Sequence, residues 1–401
     1  MVTKRTRNQL EDLRGVSRLV IDATRNMTDL VEAMHLTIGG GPAILGRPLE
    51  RPTRAITGRV YGTIRGVTKL VGASIDRALA QLAPLVPEGG PGAEREALLA
   101  VLNGVLGDYL SATGNPLAIQ MQLRQGGNPV EPKRRTLGPL LPQTSSKLLL
   151  LVHGSCHNDR KWLRLGHDHG AALARDLGYT PVYLLYNSGL HVSTNGRAFA
   201  ALLEELVAGW PVPLDALVIL GHSMGGLVAR SACHYGEVAG HRWRRKLDKL
   251  VCLGSPHHGS LLERGGSWLE LLLGMSRYSA PLARLGRIRS AGVTDMRFGL
   301  VLDEHWEARQ RFANPRDPRQ KLELPAGVGC YAIAATTAPG PRGRLPGDGL
   351  VSVDSALGRH RKPELTLAFP EAHRWIGFGM GHLDLLSRAE VYTTLRAWLG
   401  P

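Results

Sequence analysis

The sequence predicts an α/β protein built on a doubly wound, mostly parallel sheet and preceded by a helical amino-terminal region. Two observations support this fold class. From Lys147 onward, short apolar runs typical of strands buried on both faces alternate with segments of helical periodicity. One such run leads directly into a glycine-flanked serine, Gly221-His-Ser-Met-Gly225, and then into a helix. With 401 residues, the chain has room for one large α/β domain and an appendage.

The composition indicates a protein with a sizeable buried core. Hydrophobic residues make up 43% of the chain and charged residues 21%, which is ordinary for a soluble protein. No run of eighteen apolar residues predicts a membrane-spanning helix. The amino terminus, MVTKRTRNQLEDLRG, is charged and lacks the apolar stretch of a secretory signal.

The cysteines are scattered without the C-x-x-C spacing of a metal or redox motif. They are Cys156, Cys233, Cys252 and Cys330. This usage favours buried thiols in a reducing compartment. Together with the missing signal sequence, it predicts a cytoplasmic protein, either free or peripheral at a membrane.

The chain carries a formal net charge of +15, which raises the question of a nucleic-acid or membrane partner. The basic residues are mostly arginines and are spread along the chain, rather than gathered into one block with interleaved aromatic residues. No recognised nucleic-acid-binding motif accompanies the charge. We therefore expect no nucleic-acid partner.

Before the alternating region, the chain predicts helices and a linker. Residues 1–135 form the predicted helical amino-terminal region, in which Leu98, Leu102, Val105 and Tyr109 mark one helix face. Residues 136–146 have linker composition, and residues 147–401 form the predicted α/β domain. The basic stretch Gly39–Val71 favours either peripheral contact with an anionic membrane or a solvated face on helices that pack against the α/β domain.

The alternating region is described by its apolar runs and periodic segments, taken in chain order. The predicted strands are Leu148–Val152, Pro181–Tyr186, Ala216–Leu220, Leu250–Leu253, Val328–Ala335 and Leu365–Phe369. The predicted helices include Ala198–Val207, Leu227–Tyr235 and Ala389–Leu399. Strands that alternate with helices imply parallel pairing and crossover connections.

The strand Ala216–Leu220, the sequence GHSMG and the helix Leu227–Tyr235 together predict a nucleophile elbow. Small residues must flank the serine because the turn is tight, so Ser223 is expected to stand exposed at the carboxyl end of its strand. The alternative is a plain glycine-rich turn, because G-x-S-x-G by itself is a weak signal.

A serine hydroxyl needs a base to take its proton, and the base needs an acid to fix its tautomer. Asp348 lies in the glycine-flanked turn Gly347-Asp-Gly-Leu-Val351 and is the preferred acid, with Asp354 as the rival. His382, in Gly379-Met-Gly-His382 before the last helix, is the preferred base, with His373 as the rival. The chain order Ser, Asp, His is the one expected in this type of sheet.

Two backbone N–H groups are candidates for an oxyanion hole, which must aim donors at the charge that develops on the substrate. One belongs to Met224, directly after the candidate nucleophile. The other belongs to Ser155, in the loop Leu151-Val-His-Gly-Ser155 after the first strand.

The stretch from about 261 to 324 is too long for a plain connection and predicts a cap insertion. It contains an apolar, helix-like patch that includes Trp268, Leu269 and Leu272, which we expect to offer an apolar wall to an acyl chain. An ordinary packing helix is the alternative for this patch.

Five motifs in order, LVHGS, GHSMGG, GSPHHGS, GDGLVS and GHLDLL, resemble the α/β-hydrolase superfamily, in particular its lipase and esterase branch. This branch includes bacterial triacylglycerol lipases and inositol-deacylase-like proteins. The resemblance implies a serine hydrolase that cleaves carboxylic esters through an acyl-enzyme, with Ser223 as nucleophile, Asp348 as acid and His382 as base. It implies a small-molecule or lipid ester as substrate and no cofactor. In bacterial lipases a carboxylate at the position of Asp384 helps to hold calcium, but the sequence offers no clear second ligand.

Two other functions remain open at this point. The same triad would serve a thioesterase, an acyltransferase or an amidase. A function of another class is a non-catalytic, membrane-associated scaffold. The helical amino-terminal region and the missing signal sequence depart from secreted lipases, and this favours an intracellular ester substrate.

Overall fold

The computed structural model describes residues 93–140, 144–260, 290–306, 321–343 and 345–400. The chain divides into two compact units, of which one comprises residues 1–92 and 110–118 and the other residues 93–109 and 119–401. Residues 1–92 of the predicted helical amino-terminal region, including the basic stretch Gly39–Val71, lie outside the described residues. Of the helices that are described, none is long and apolar enough to cross a membrane.

The larger unit is organised around a single sheet of eight strands. The strands are β1 (Gln122–Gln125), β2 (Asn128–Val130), β3 (Lys147–Val152), β4 (Thr180–Leu185), β5 (Ala216–His222), β6 (Leu247–Leu253), β7 (Gly329–Thr336) and β8 (Arg374–Phe378). Their order across the sheet is β2-β1-β4-β3-β5-β6-β7-β8. The six strands from β3 to β8 are parallel, and β1 runs antiparallel to both of its neighbours.

Helices connect the strands and cover the sheet. The described α-helices are α1 (Ala93–Ala112), α2 (Arg134–Leu140), α3 (His169–Leu177), α4 (Val192–Gly209), α5 (Met224–Val238), α6 (Ala291–Met296), α7 (Val353–Ala356) and α8 (Ala389–Leu399). Short 3₁₀ helices lie at Asp159–Trp162, Arg242–Lys246, Asp303–His305, Pro363–Leu365, Glu371–His373 and His382–Leu386. The predicted doubly wound, mostly parallel α/β sheet is therefore confirmed.

The central strands are buried on both faces, which explains their continuous apolar sequence. In β3, the side chains of Leu149 and Leu151 join the core layer that also contains Leu395 and Leu399 of α8. The alternate residues of β3, Leu148 and Leu150, are equally buried on the opposite face. Full burial of one such side chain stabilises the fold by about 1.5–3 kcal/mol. The two-sided core therefore fixes the carboxyl ends of the strands, where the loops of the site begin.

The sheet begins earlier than the predicted domain boundary at residue 147. Strands β1 and β2 form a hairpin whose turn carries Gly126 and Gly127 with φ of 56° and 80°, and β1 pairs with β4. These residues fall in the predicted amino-terminal region, because strands of only three or four residues carry no distinct apolar run. The predicted linker is also shorter than expected, since α2 continues to Leu140.

Helix α1 confirms the helix predicted around Leu98 to Tyr109, and its residues 93–109 lie in the same compact unit as the sheet. Two of its glycines permit close contact with loops at the carboxyl edge. A Cβ on Gly104 would overlap Cys156, and one on Gly107 would overlap Asn187. The side-chain amide of Asn187 donates to the carbonyl of Gly107 at 2.9 Å.

The predicted last strand, Leu365–Phe369, is wrong. Leu367 and Phe369 are buried, but this segment forms no strand, and the last strand is Arg374–Phe378. The apolar residues of the segment instead cover Gly358, whose φ is 68° and whose missing side chain leaves room for them. As an edge strand with one fully buried residue, β8 lacks the apolar run by which the inner strands were recognised.

Candidate active site

Ser223 lies at a sharp turn between β5 and α5 and has a strained backbone. Its φ of 55° and ψ of −124° are unusual for a residue with a side chain. Close packing on both sides maintains this conformation. A Cβ on Gly221 would lie 2.6 Å from the nitrogen of Gly226, and a Cβ on Gly225 would overlap the carbonyl oxygen of Val152. The glycines therefore let α5 pack directly on the sheet, and the turn holds Ser223 at the carboxyl edge.

His382 and Asp348 form a buried pair at the same edge. His382 Nδ1 lies 2.7 Å from Asp348 Oδ2, and their side chains are 4% and 1% exposed. The other oxygen, Oδ1, accepts the N–H groups of Leu350 and Val351 at 2.9 and 2.8 Å. Because a carboxylate only accepts, the neutral ring of His382 must carry its proton on Nδ1, which leaves Nε2 with its lone pair. This is the tautomer that a general base requires.

The end of β6 connects the serine to this pair. The N–H of Ser223 donates to the carbonyl of Leu253 at 2.8 Å. The next residue, Gly254, has a φ of 58°, and a Cβ there would lie 3.2 Å from His382 Cε1 and 3.3 Å from Asp348 Oδ2. The three predicted residues of the triad are therefore brought to one small region of the sheet edge.

The two rival residues lie elsewhere. The Asp354 side chain is 74% exposed and lies 3.7 Å from Arg359. His373 precedes β8 rather than following the last strand, stacks on Tyr331 and has its Nδ1 3.2 Å from the carbonyl oxygen of Cys330. The pairing of His382 with Asp348 therefore supports the choices made from the sequence.

The two candidate oxyanion residues, Ser155 and Met224, are both buried beside the nucleophile. Met224 follows Ser223 directly. A Cβ on Gly154 would lie 3.0 Å from the Ser223 Cβ, so the loop after β3 runs against the serine. The next N–H of that loop, on Cys156, is already donated to Ser188 Oγ at 3.0 Å.

Sequence reasoning missed the histidine next to the nucleophile. His222 is buried, its ring centroid lies 4.7 Å from that of His382, and its Nε2 lies 3.2 Å from the carbonyl oxygen of His382. Burial, followed by the nearby His382 ring, holds the pKa of His222 well below its usual value. A neutral His222 can donate from Nε2 to the carbonyl and so fix the backbone of the candidate base. The signal was its place in GHSMGG, directly before the serine.

Asp384 has a structural role in this site. Its Oδ2 accepts the N–H of Gly381 at 2.9 Å and thereby caps the turn His382–Leu386, and its Oδ1 lies 3.7 Å from Arg164. In the part of the chain that the structure describes, no three His, Cys, Asp or Glu side chains are grouped so that they could hold a metal ion. The carboxylate therefore supports the loop of His382.

The described part of the cap insertion reaches the site. Helix α6 packs close to the residue after the serine, since a Cβ on Gly292 would lie 3.2 Å from Met224 Cε. Asp295 of this helix accepts the N–H of Val192 at 2.8 Å at the start of α4. The predicted substrate-contacting residues Trp268, Leu269 and Leu272 lie outside the described residues.

Comparison with known proteins gives one family match. Residues 204–319, less than a third of the chain, match the family described as a PGAP1-like alpha/beta domain. This segment includes Ser223. No protein with a curated description matches the chain.

Several solved structures are similar in fold. Lipase BlEst2 of Bacillus licheniformis in its mature form is 18% identical with a TM-score of 0.41, and the match covers 70% of this chain and 97% of the lipase. Esterase PF2001 of Pyrococcus furiosus is 14% identical with a TM-score of 0.40, and the match covers 64% of this chain and 81% of the esterase. A soluble variant of monoglyceride lipase from Saccharomyces cerevisiae is 11% identical with a TM-score of 0.38, and the match covers 64% of this chain and 85% of the lipase. The family match describes an alpha/beta domain, which agrees with the sheet and flanking helices of this chain.

Proposed function

We propose that this protein is a serine hydrolase of carboxylic esters, because its mostly parallel α/β sheet carries a buried His–Asp pair and, at the same edge, a serine at a strained turn. The observation that carries the proposal is the 2.7 Å contact between His382 Nδ1 and Asp348 Oδ2 next to Ser223. A neutral imidazole held in this tautomer can accept a proton. The structure has Ser223 half-buried rather than exposed as expected, and its place at such a turn would still present the hydroxyl to substrate.

In the proposed mechanism, Ser223 Oγ attacks the ester carbonyl while His382 Nε2 takes its proton. Asp348 stabilises the imidazolium that forms. The N–H groups of Ser155 and Met224 would stabilise the negative charge on the tetrahedral intermediate. His382 then gives the proton to the leaving alcohol, which leaves an acyl-enzyme. Water, deprotonated by His382, attacks the acyl carbon and releases the acid.

The substrate class we propose is a small-molecule or lipid ester. The similar structures include lipases and an esterase, and this supports the class. No step of this mechanism requires a cofactor.

Hydrolysis of a short-chain p-nitrophenyl ester by wild type and Ser223→Ala tests the proposal. We expect the substitution to lower kcat by several powers of ten, because the members of a triad act as one unit. Ser111→Ala, which removes an exposed hydroxyl near the end of α1, is the matched control and should keep full activity. Equal rates in wild type and Ser223→Ala, with both proteins folded by circular dichroism, would exclude Ser223 as the nucleophile.

A further inference from the structure

A strained apolar turn projects from the loop after β3. Arg164 and His167 exchange both backbone hydrogen bonds at 2.9 Å, which closes a two-residue turn with Leu165 and Gly166 at its tip. Their φ values are 49° and 78°, as a type I′ turn requires. We call residues 163–167 the Leu165 turn.

Leucine is an unfavourable residue at the tip of such a turn. Positive φ at both central positions favours Asn, Asp or Gly, and a leucine there brings its Cβ close to its own backbone. The side chain gains nothing from burial in the protein, because it is 84% exposed. Because neither the turn nor burial explains this leucine, we expect its side chain to contact something outside the folded chain.

A second exposed leucine lies in the same turn. Leu163 is 64% exposed. Within the described ranges, three large hydrophobic residues are exposed, and the third, Val238, is 73% exposed at the end of α5. Two of these three residues are therefore only two positions apart on one turn. Exposed hydrophobic residues on a protein surface are normally scattered singly, so this pair is unusual.

The Leu165 turn lies at the rim of the candidate active site. Arg164 contacts Asp384 at 3.7 Å, and Asp384 caps the turn that carries His382. The loop that leads to the Leu165 turn starts at Gly154 and Ser155, against Ser223. A surface that receives the two leucines would therefore lie close to the entrance of the site.

Cations and carboxylates both lie close to the turn. Arg160 and the half-buried Lys161 lie three and two residues before it, and the Arg160 side chain is 42% exposed although it also pairs with Glu96. Asp168 follows the turn directly, and Asp384 is already paired with Arg164. The chain as a whole carries +15, so its field favours anionic surfaces. Apolar side chains that can enter an acyl layer, flanked by cations that suit anionic headgroups, match the chemistry of a membrane interface.

We propose that the Leu165 turn inserts shallowly into an anionic lipid surface and holds the rim of the candidate site against it. The attachment is reversible, because two leucines and a few cations provide only a weak anchor. This proposal concerns binding and is independent of whether Ser223 is a nucleophile.

Co-sedimentation of the full chain with vesicles of equal parts phosphatidylcholine and phosphatidylglycerol tests the proposal. The double variant Leu163→Ser, Leu165→Asn should lower the partition coefficient by about tenfold or more, since two apolar side chains lose their insertion. Val238→Ser, which removes the third exposed apolar side chain at another place, is the matched control and should bind as wild type does. Ser223→Ala should also bind normally, which separates this result from the test of catalysis.

Two further measurements keep the result interpretable. Asn suits the type I′ turn better than leucine, so the double variant should melt no earlier than wild type. Sedimentation velocity without lipid should show the same oligomeric state for both proteins. Unchanged vesicle binding by the folded double variant would overturn the proposal. Any binding that remained would then belong to another segment of the chain. A wild-type dimer that the double variant abolishes would assign the turn to a contact between copies instead.

Discussion

At the scale of single residues, the two carboxylate oxygens of Asp348 have different partners. Oδ1 is held by two backbone N–H groups, and Oδ2 faces His382 Nδ1. Asp348→Asn can keep the hydrogen bonds from the two backbone N–H groups, because its amide oxygen still accepts. Its amide nitrogen, however, would donate toward Nδ1 and force the proton of the imidazole onto Nε2. We predict a loss of about 10⁴ in kcat for the ester, with little loss of stability.

The measurement for this prediction is the rate of ester hydrolysis together with the melting temperature. Asp354→Asn is the matched control, because it makes the same change in the exposed rival carboxylate and should leave both values unchanged. An Asp348→Asn variant that retains more than about a tenth of the activity would show that this carboxylate does not set the tautomer of His382.

The four cysteines yield a second prediction at this scale. All are buried and free, and burial raises the pKa of Cys156 to about 11 and that of Cys233, Cys252 and Cys330 to about 12. Because the thiolate is the reactive form, we expect iodoacetamide at neutral pH to leave the native protein unmodified and to alkylate it on unfolding. Mass spectrometry of the intact protein measures this. Rapid alkylation of one thiol in the folded protein would place that cysteine in a solvent-accessible site.

The sequence was informative about the residues of the candidate site where a motif limited the choices. Ser223 and Asp348 were selected by the glycines around them and His382 by its place between small residues before the last helix, and the structure brings the three to one edge of the sheet. Ser155 and Met224 were selected by their positions after a strand and after the nucleophile, and they lie beside Ser223. His222 was missed because its role depends on a carbonyl oxygen 160 residues away in sequence, and its place before the serine in GHSMGG does not by itself indicate that contact.

At the scale of elements, the packing of α5 on the sheet depends on glycines that no larger residue can replace. A Cβ on Gly225 would overlap the carbonyl oxygen of Val152 and lie 2.7 Å from that of His153. We predict that Gly225→Ala destabilises the protein by about 2 kcal/mol or more, because backbone must move to relieve the overlap. Urea denaturation followed by circular dichroism measures the change.

Gly138→Ala is the matched control for this substitution. Gly138 lies in α2, and a Cβ there would meet no atom within 4 Å. Alanine should be neutral or stabilise this helix by about 0.5–1 kcal/mol. If both variants unfold at the same urea concentration as wild type, close packing of α5 against β3 is not needed for stability.

Elements were predictable in proportion to their burial and length. The inner strands β3, β4, β5, β6 and β7 were found within a few residues, because burial on both faces gives an unbroken apolar run. The hairpin of β1 and β2 and the edge strand β8 were not found, since short or half-exposed strands carry no such run. The buried segment around Leu367 was mistaken for a strand because an apolar run does not by itself indicate hydrogen-bonded pairing.

At the scale of the whole molecule, buried neutral histidines make stability depend on pH. Burial lowers the pKa of both His153 and His169 from 6.5 to about 4. Between these values the unfolded chain binds protons that the folded chain does not, so the free energy of unfolding falls as the pH falls from 6.5 to 4. Each histidine contributes up to about 3 kcal/mol to this loss.

Urea denaturation at about pH 7 and about pH 4.5 measures this effect, and we expect a lower midpoint at the acidic value. His169→Gln, which removes one of the buried rings, should show a shallower dependence on pH than wild type. A wild-type midpoint that stays constant over this range would show that the two rings are protonated in the folded protein.

The central claim, that Ser223 is a nucleophile activated by the His382–Asp348 pair, is tested most directly by labelling with a fluorophosphonate probe and mapping the modified peptide by mass spectrometry. We expect one phosphonyl group per chain, attached to Ser223, and loss of labelling in His382→Ala. A folded wild-type protein that stays unlabelled, or that carries the label on another residue, would contradict the account.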